Sequence, residues 1–431
     1  MSRQLRRINS PFKRRTALVF AFASVIVMTA VSQAQTYQVL YTFTSGTGYF
    51  PAGGLSIDKA GNLYGVTAAG GAAGVGVVFK LAPKGPGWVL TPLYDFLGGD
   101  DGRVPDARVV LGPDGTLYGT TTGGGGTGCG FGLGCGTVFN LKPPPSRCAS
   151  VLCPWTETVL YRFNGPPDSG GPTSTVTLDA AGNLYGTAGY GAAGAGVVYE
   201  LTPSADGAWT ETILYSFLGD NDGSGPQGGV VFDQEGNLYG TTRYGGSHNG
   251  GTLFQLTPSG GGWSKNLLWS FADGLGGYAP RAGLVLDISG NVYGATTQGG
   301  EKGLSGAAFE FVSSSGSLIE LYSFQGSDDC YQYHQWNCFG PYDGLVMDPA
   351  GNLYGATWSA GPYAWGSVFK LTPTNSGWVY TDLHDFTGGS DGALANGNLV
   401  LDASGNLYGT TAHGGSAPGT NGEGVIFQIT P

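Results

Sequence analysis

Apolar and polar positions alternate in short segments along the whole chain, and one of these segments recurs throughout it. The segment is Gly61-Asn62-Leu63-Tyr64-Gly65, and its tyrosine returns at Tyr118, Tyr185, Tyr239, Tyr293, Tyr354 and Tyr408. The steps between consecutive tyrosines are 54, 67, 54, 54, 61 and 54 residues. This constant period with two longer steps predicts one supersecondary unit in seven copies, with additional loop residues in two places.

Each copy contains four segments that favour β-strands, which we call a, b, c and d. In the first copy they span residues 53–58, 62–67, 76–82 and 88–96. Strands b and c are apolar on both faces, so a sheet built from them must be covered on both sides, as in a ring of radially packed sheets. The pattern therefore predicts an all-β fold, a seven-bladed β-propeller with four-stranded blades, over residues 35–431.

The two ends of this region predict how the ring closes. Residues 37–43 match strand d of the other copies, and residues 424–430 match strand c. The last copy thus lacks its own strand d. We expect the N-terminal strand to supply it, because that pairing removes an open sheet edge.

Two residue types of the repeat have predicted structural roles. An aspartate starts the tight turn between strands a and b, and we expect its side chain to cap that turn and not to act in catalysis. These aspartates are Asp58, Asp179, Asp233, Asp287, Asp348 and Asp402. The glycine after each repeat tyrosine is expected to face a bulky aromatic side chain of the next sheet, which would let the two sheets approach closely.

The recurring segments resemble those of a known family. Gly-Asn-Leu-Tyr-Gly-Thr-Thr at 236–242, Gly-Thr-Val-Phe at 136–139 and Leu-Tyr-Ser-Phe at 214–217 are similar to segments of the bacterial choice-of-anchor tandem-repeat GloVer-containing proteins. The resemblance covers essentially all of residues 35–431. It implies a secreted repeat protein and transfers no catalytic residue.

Residues 1–34 have the features of a secretory signal peptide. Basic residues come first, an apolar run at 16–31 follows, and cleavage is expected after Ala34. A membrane anchor is the alternative, but the run is short for a hydrocarbon core of about 30 Å. We expect a secreted, extracellular or periplasmic protein with no membrane span in the mature chain.

The charge of the chain excludes some partners. The formal net charge is −11, and removal of residues 1–34, which carry six basic and no acidic residues, makes it −17. A surface of this sign repels nucleic acids and anionic lipids. We expect a monomer whose partner is a carbohydrate or an extracellular protein.

The six cysteines lie in the segments that exceed the basic repeat. Six cysteines allow 15 pairings. Loops on opposite faces of a propeller are too far apart for a disulfide, so we expect the local pairs Cys129–Cys135, Cys148–Cys153 and Cys330–Cys338. A zinc site is the alternative, but these spacings do not bring ligands to one point.

The acidic loops offer one weak candidate for a metal site. Asp220-Asn221-Asp222-Gly223 resembles the start of a calcium loop without its later acidic ligands. Solvated turn residues are the alternative interpretation. Calcium is the one cofactor that the sequence leaves open, and no other cofactor is predicted.

Aromatic residues concentrate in the sixth copy and give the predicted ligand-binding site. They are Tyr331, Tyr333, His334, Trp336, Trp358, Tyr363 and Trp365. An apolar platform beside amides suits a sugar ring or a protein, although a small core under the long loop would explain the same residues.

We therefore predict a non-catalytic binding protein with its site at this aromatic corner. The alternative is an extracellular lyase or hydrolase with its site at the mouth of the central channel. The inner strands carry generic segments such as residues 228–232, so we expect few titratable groups near the axis.

Overall fold

The chain forms a seven-bladed β-propeller in which seven antiparallel sheets are arranged in a ring. The computed structural model describes residues 35–129, 132–145, 154–302, 305–326, 338–415 and 422–430. The predicted signal peptide lies outside these residues. Within them, no helix has the length and apolar character needed to cross a membrane.

Six blades have four strands each, in chain order from the axis outward. Blade one contains β2 (Tyr49–Ile57), β3 (Leu63–Ala69), β4 (Val77–Lys84) and β5 (Gly87–Asp95). Blade two contains β6 (Val110–Leu111), β7 (Leu117–Thr121), β8 (Thr137–Lys142) and β9 (Thr156–Arg162). Blade three contains β10 (Thr177–Leu178), β11 (Leu184–Ala188), β12 (Val197–Pro203) and β13 (Trp209–Ser216).

The next three blades repeat this order. Blade four contains β14 (Val231–Phe232), β15 (Leu238–Thr242), β16 (Thr252–Ser259) and β17 (Gly262–Ser270). Blade five contains β18 (Val285–Leu286), β19 (Val292–Ala295), β20 (Ala307–Val312) and β21 (Ser317–Ser323). Blade six contains β22 (Val346–Met347), β23 (Leu353–Ala356), β24 (Ser367–Thr374) and β25 (Gly377–Asp385).

Blade seven combines the two ends of the chain. Its inner strand is divided into β26 (Ala393–Ala395) and β27 (Val400–Leu401), and both pair with β28 (Leu407–His413). Strand β29 (Val425–Thr430) follows, and β1 (Thr36–Thr42) pairs with it antiparallel, with Thr36 opposite Thr430 and Thr42 opposite Val425. The predicted closure by the N-terminal strand is confirmed.

Each junction between neighbouring blades contains one aromatic pair. A phenylalanine directly after the outermost strand of one blade contacts an aromatic residue on the third strand of the next blade, with ring centroids 4.7 to 5.4 Å apart. The pairs are Phe43–Phe79, Phe96–Phe139, Phe163–Tyr199, Phe217–Phe254, Phe271–Phe309, Phe324–Phe369 and Phe386–Phe427. All of these rings are buried, so the propeller has a continuous aromatic belt.

The glycine after the repeat tyrosine has a different role from the one predicted. A methyl group added at Gly65 would lie 2.6 Å from Cζ of Phe79, and one at Gly240 would lie 2.6 Å from Cζ of Phe254. Each of these phenylalanines is on the neighbouring strand of the same sheet. The prediction that the glycine faces an aromatic of the next sheet is therefore wrong. The glycine makes room for the ring that its own blade contributes to the belt.

The repeat aspartates cap their turns as predicted. Asp58 accepts hydrogen bonds from the backbone N–H groups of Ala60 and Asn62, both at 2.9 Å, and from the Tyr64 hydroxyl at 3.1 Å. Tyr64 is buried and packs among residues of blade two. The turn, the tyrosine and the next blade are therefore joined through one carboxylate.

At the outer edge, two blade junctions place carboxyl groups together. Between blades two and three, the Tyr161 hydroxyl lies 3.1 Å from Asp168 and 3.2 Å from Glu211, and the Ser169 hydroxyl donates to Glu211. Burial, followed by the contact with Asp168, raises the pKa of Glu211 to about 8. Between blades one and two, burial and then Asp101 raise the pKa of Glu157 to about 7. Protons are therefore held at both junctions.

One predicted disulfide is present among the described residues, between Cys129 and Cys135. Cys338 is also disulfide-bonded. Cys148, Cys153 and Cys330 lie outside the described residues, so their predicted pairings stay predictions.

The position of Phe254 over Gly240 leads to a stability prediction. Gly240→Ala should lower the free energy of unfolding by about 1 to 3 kcal/mol, because the added methyl group forces the Phe254 ring out of the belt. Denaturant unfolding measures the effect. The matched control is Gly260→Ala in the turn between β16 and β17, where an added methyl group meets nothing within 4 Å. Equal stability of the two variants would contradict this role for the glycine.

Glu211 leads to a prediction of pH dependence. Its pKa is about 8 in the folded protein and 4.5 without perturbation, so the folded state binds the extra proton between these values. The stabilising contribution is complete below pH 4.5 and is lost as the pH rises towards about 8. Glu211→Gln should therefore reduce the fall in melting temperature over this interval. Glu235→Gln, in an exposed turn, is the matched control, and an unchanged pH profile in Glu211→Gln would refute the assignment.

Candidate functional site

A central channel runs between the inner strands of the seven blades. Its cavity has a volume of about 1650 Å³ and is lined by residues of every blade. At one end lie the turns between the first two strands, such as Asp58 and Lys59 of blade one. At the other end lie the residues that directly precede the inner strand of each blade, where the chain arrives from the preceding blade.

The entering segment of blade two shows how the channel lining is formed. Val109 is buried between blades, whereas the flanking Arg108 and Val110 line the channel. The alternation follows from the strand period of two residues. Other blades have glycine at the position of Arg108, including Gly229 and Gly283, and an added methyl group at Gly283 would meet nothing within 4 Å. Gly283 is therefore open, whereas an added methyl group at Gly229 would lie 2.7 Å from the backbone oxygen of Thr175.

Four charged side chains lie at this end of the channel: Asp106, Arg108, Arg281 and Asp343. The first two belong to blade two, and the others belong to blades five and six. In a ring of seven, blade two lies across the channel from blades five and six. Among the described residues, no ion pair within 4.0 Å joins any of these four groups. The site therefore presents opposite charges that face a shared space.

The surrounding protein changes the acidity of these groups. Asp106 is reached by solvent through the channel, but the channel walls remove it from bulk water. This desolvation, followed by the charge of Asp343, raises the pKa of Asp106 to about 6, against the opposing effect of Arg281. Desolvation and then the neighbouring Arg243 lower the pKa of Arg281 to about 10. Asp106 can therefore exchange a proton near neutral pH.

Asp343 is held in place by the adjacent blade. Its carboxylate accepts a hydrogen bond from the backbone N–H of Gly397 in blade seven. Burial raises the pKa of Asp343, while this hydrogen bond and Arg281 lower it. The carboxylate thus has a fixed position on the channel wall.

Several lining side chains have a buried polar atom with no hydrogen-bond partner among the described residues. These atoms are Nε of Arg108, Oγ1 of Thr173, Oε1 of Gln227 and Oδ1 of Asn398. They come from blades two, three, four and seven. An unpaired buried polar group costs about 1 to 3 kcal/mol. Four such groups around one channel favour a polar ligand there.

Aromatic rings extend from the charged end of the channel towards blade seven. The guanidinium of Arg281 lies 4.0 Å from the ring centroid of Tyr342, and the Tyr342 ring lies 5.1 Å from that of Trp358. Trp358 also packs against a small cluster that contains Leu394. One residue of the predicted aromatic site, Trp358, is therefore linked through Tyr342 to the channel-lining Arg281.

The other predicted aromatic residues have different positions. Trp365 is half-buried and packs between blades six and seven. Tyr363 is 53% exposed. Tyr331, Tyr333, His334 and Trp336 lie outside the described residues. The structure therefore separates Trp358 and Trp365, which are packed, from Tyr363, which is exposed.

The predicted calcium candidates lie in a short helical turn, Asp220–Asp222. Asp222 accepts hydrogen bonds from the Tyr215 hydroxyl at 2.8 Å and from the backbone N–H of Leu218 at 2.8 Å, and it forms an ion pair with Lys265 at 2.7 Å. In the described part of the chain, no three His, Cys, Asp or Glu side chains form a group that could hold a metal ion.

The expectation of few titratable groups near the axis is wrong. Asp106, Arg108, Arg281 and Asp343 occupy positions at which the remaining copies have uncharged residues. The sequence does contain an indication of this charged cluster. These positions vary in charge from copy to copy, while the proline before them recurs, as in Pro105, Pro280 and Pro341. The residues added to the repeat do not indicate this cluster, because its members are substitutions within the repeat.

The repeats match a family model. The Gloeobacter/Verrucomicrobia repeat matches residues 24–188, 136–300, 191–335 and 330–431. The chain belongs to the Gloeobacter/Verrucomicrobia repeat family. The four overlapping matches span the full ring of this Gloeobacter/Verrucomicrobia repeat protein. A search of curated proteins finds no match.

Several solved structures are similar to this Gloeobacter/Verrucomicrobia repeat protein at low identity. A protein from Bacteroides uniformis, provisionally named a 6-phosphogluconolactonase, is 14% identical with a TM-score of 0.46, and the alignment covers 77% of this chain and 83% of that one. A protein from Lactobacillus plantarum is 14% identical with a TM-score of 0.47, covering 86% and 99%. A protein of unknown function from Dyadobacter fermentans is 13% identical with a TM-score of 0.43, covering 91% and 98%. These likenesses say nothing about what this chain does.

Proposed function

We propose that this propeller binds a carbohydrate at the charged end of its central channel. The observation that carries the proposal is the convergence at one channel of unpaired polar atoms from four blades, on Arg108, Thr173, Gln227 and Asn398, with the charged groups of Asp106 and Arg281. A sugar offers hydroxyl groups that donate to carboxylate and amide oxygens and accept from guanidinium groups. A single ligand could thus satisfy groups from opposite sides of the ring.

The size and walls of the channel support an oligosaccharide. The cavity of about 1650 Å³ exceeds the usual 300 to 1,000 Å³ of a small-molecule pocket. The rings of Tyr342 and Trp358 provide an apolar surface beside the polar groups. This proposal moves the predicted binding site from the corner of blade six to the channel mouth.

A second candidate function is catalysis on the same ligand. It is favoured by Asp106, whose pKa of about 6 suits proton transfer, and by Asp343 on the opposite wall. In such a lyase or hydrolase, Asp106 would exchange a proton with the sugar, and Asp343 would stay fixed by Gly397. Mass analysis of the incubated sugar distinguishes turnover from binding.

Gln227→Leu tests the proposed binding site. The change removes the amide but keeps the approximate size of the side chain, and binding of a sugar should weaken about tenfold because a buried hydrogen bond is lost. Calorimetry with a panel of neutral and acidic oligosaccharides measures this. Gln38→Leu, on the exposed edge strand β1, is the matched control.

Tyr363→Ala tests the competing site at the corner of blade six. Binding should be unchanged, because Tyr363 is exposed and does not line the channel. Loss of binding in Tyr363→Ala together with normal binding in Gln227→Leu would overturn the proposal. Absence of binding across the whole panel would also overturn it.

A further inference from the structure

The arginines of the protein are unevenly placed. The described part of the chain contains five arginines: Arg103, Arg108, Arg162, Arg243 and Arg281. Arg108 and Arg281 line the channel, and Arg243 is close enough to Arg281 to lower its pKa. Arg103 lies three residues before Asp106, where the chain approaches the same end. Three of the five described arginines, Arg108, Arg243 and Arg281, therefore lie at or beside one site in a chain with a formal net charge of −11.

These arginines are poorly compensated by the protein. The Nε atoms of Arg103, Arg108 and Arg243 are buried and have no hydrogen-bond partner among the described residues. In contrast, Nε of Arg162 donates to the backbone oxygen of Asp100 at 2.9 Å. A buried guanidinium N–H group without a partner is costly, and a bound acceptor such as an anion would offset that cost.

The local charge of the channel mouth is opposite to that of the protein. Arg108, Arg281 and the neighbouring Arg243 outnumber the two carboxyl groups, Asp106 and Asp343, and Asp106 is partly protonated near its pKa of about 6. Because the walls exclude bulk water, these charges are screened less than surface charges. The mouth therefore attracts an anion even though the protein as a whole repels one.

We propose that the ligand of the channel mouth is an acidic oligosaccharide whose carboxylate binds to Arg281 and Arg243. The inference rests on the proposed carbohydrate function and specifies its substrate class. A carboxylate fits the planar fork of a guanidinium with two parallel hydrogen bonds. The carboxylate carries one negative charge, so Asp106 and Asp343 repel it less than they repel a doubly charged phosphate. The sugar hydroxyls then face Gln227, Thr173 and Asn398.

The test compares uronic acid oligosaccharides with neutral oligosaccharides of the same length and linkage. The parent protein should bind the uronic acid form at least about tenfold more tightly, as expected for one charge-assisted pair. Arg281→Met should remove most of this preference, because it should weaken binding of the uronic acid form much more than binding of the neutral form. Arg162→Met is the matched control and should behave like the parent. A phosphorylated oligosaccharide forms a third arm and should bind more weakly than the uronic acid form.

Two further variants separate loss of the contact from loss of the fold. Arg243→Met removes the second arginine and should reduce the preference in part, and Arg281→Lys should restore part of the charge but not the two parallel hydrogen bonds. Melting temperatures near that of the parent establish that each variant is folded.

Equal binding of neutral and uronic acid sugars would refute the acidic ligand while leaving the carbohydrate function in place. Absence of any sugar binding would refute the carbohydrate function itself, and tighter binding of the phosphorylated arm would refute the carboxylate.

Discussion

The structure depends on a closed belt of aromatic pairs. At every blade junction, the phenylalanine that follows an outer strand meets an aromatic ring on the third strand of the next blade. Aromatic pairs at these distances contribute about 0.5 to 1.5 kcal/mol each beyond the burial of their surface. The pair Phe43–Phe79 can form only when the N-terminal strand has joined blade seven. Closure of the ring and completion of the belt are therefore the same event.

A second contact joins neighbouring blades just before the inner strand begins. In the junction between blades one and two, the backbone N–H of Val104 donates to the oxygen of Val75 at 2.8 Å, and Gly76 lies so close to Pro105 that an added methyl group would approach its ring to 2.4 Å. Val104 has a positive φ of 56°, a strained conformation for a β-branched residue. Phe50, Ala279 and Leu394 have the same conformation in other blades. The strain recurs because the N–H must turn towards the preceding blade just before the channel strand begins.

Much of this architecture could be predicted from the sequence, because the repeat constrains it seven times. The period indicated the number of blades, the match of residues 37–43 to strand d indicated the closure, and the turn aspartates followed from local hydrogen bonding. The contact between Gly65 and the Phe79 ring could not be predicted. A strand pattern shows which side chains share a face, but it does not show how far a ring such as Phe79 reaches across its own sheet. The close approach of Gly76 and Pro105 was missed for the same reason, since it joins residues of different copies.

The candidate site could not be predicted by looking for unusual loops, and the reason is physical. Most positions of the repeat are fixed by packing between blades, so a change such as Gly240→Ala meets a neighbouring ring. At the channel-facing glycines before the inner strands, no ring of the belt is the nearest neighbour, and an added methyl group at Gly283 would meet nothing within 4 Å. Charged residues such as Arg108 and Asp106 can be placed there without disturbing the belt. In a propeller of similar blades, we therefore expect functional residues at positions that vary among the copies and that packing between blades does not restrict.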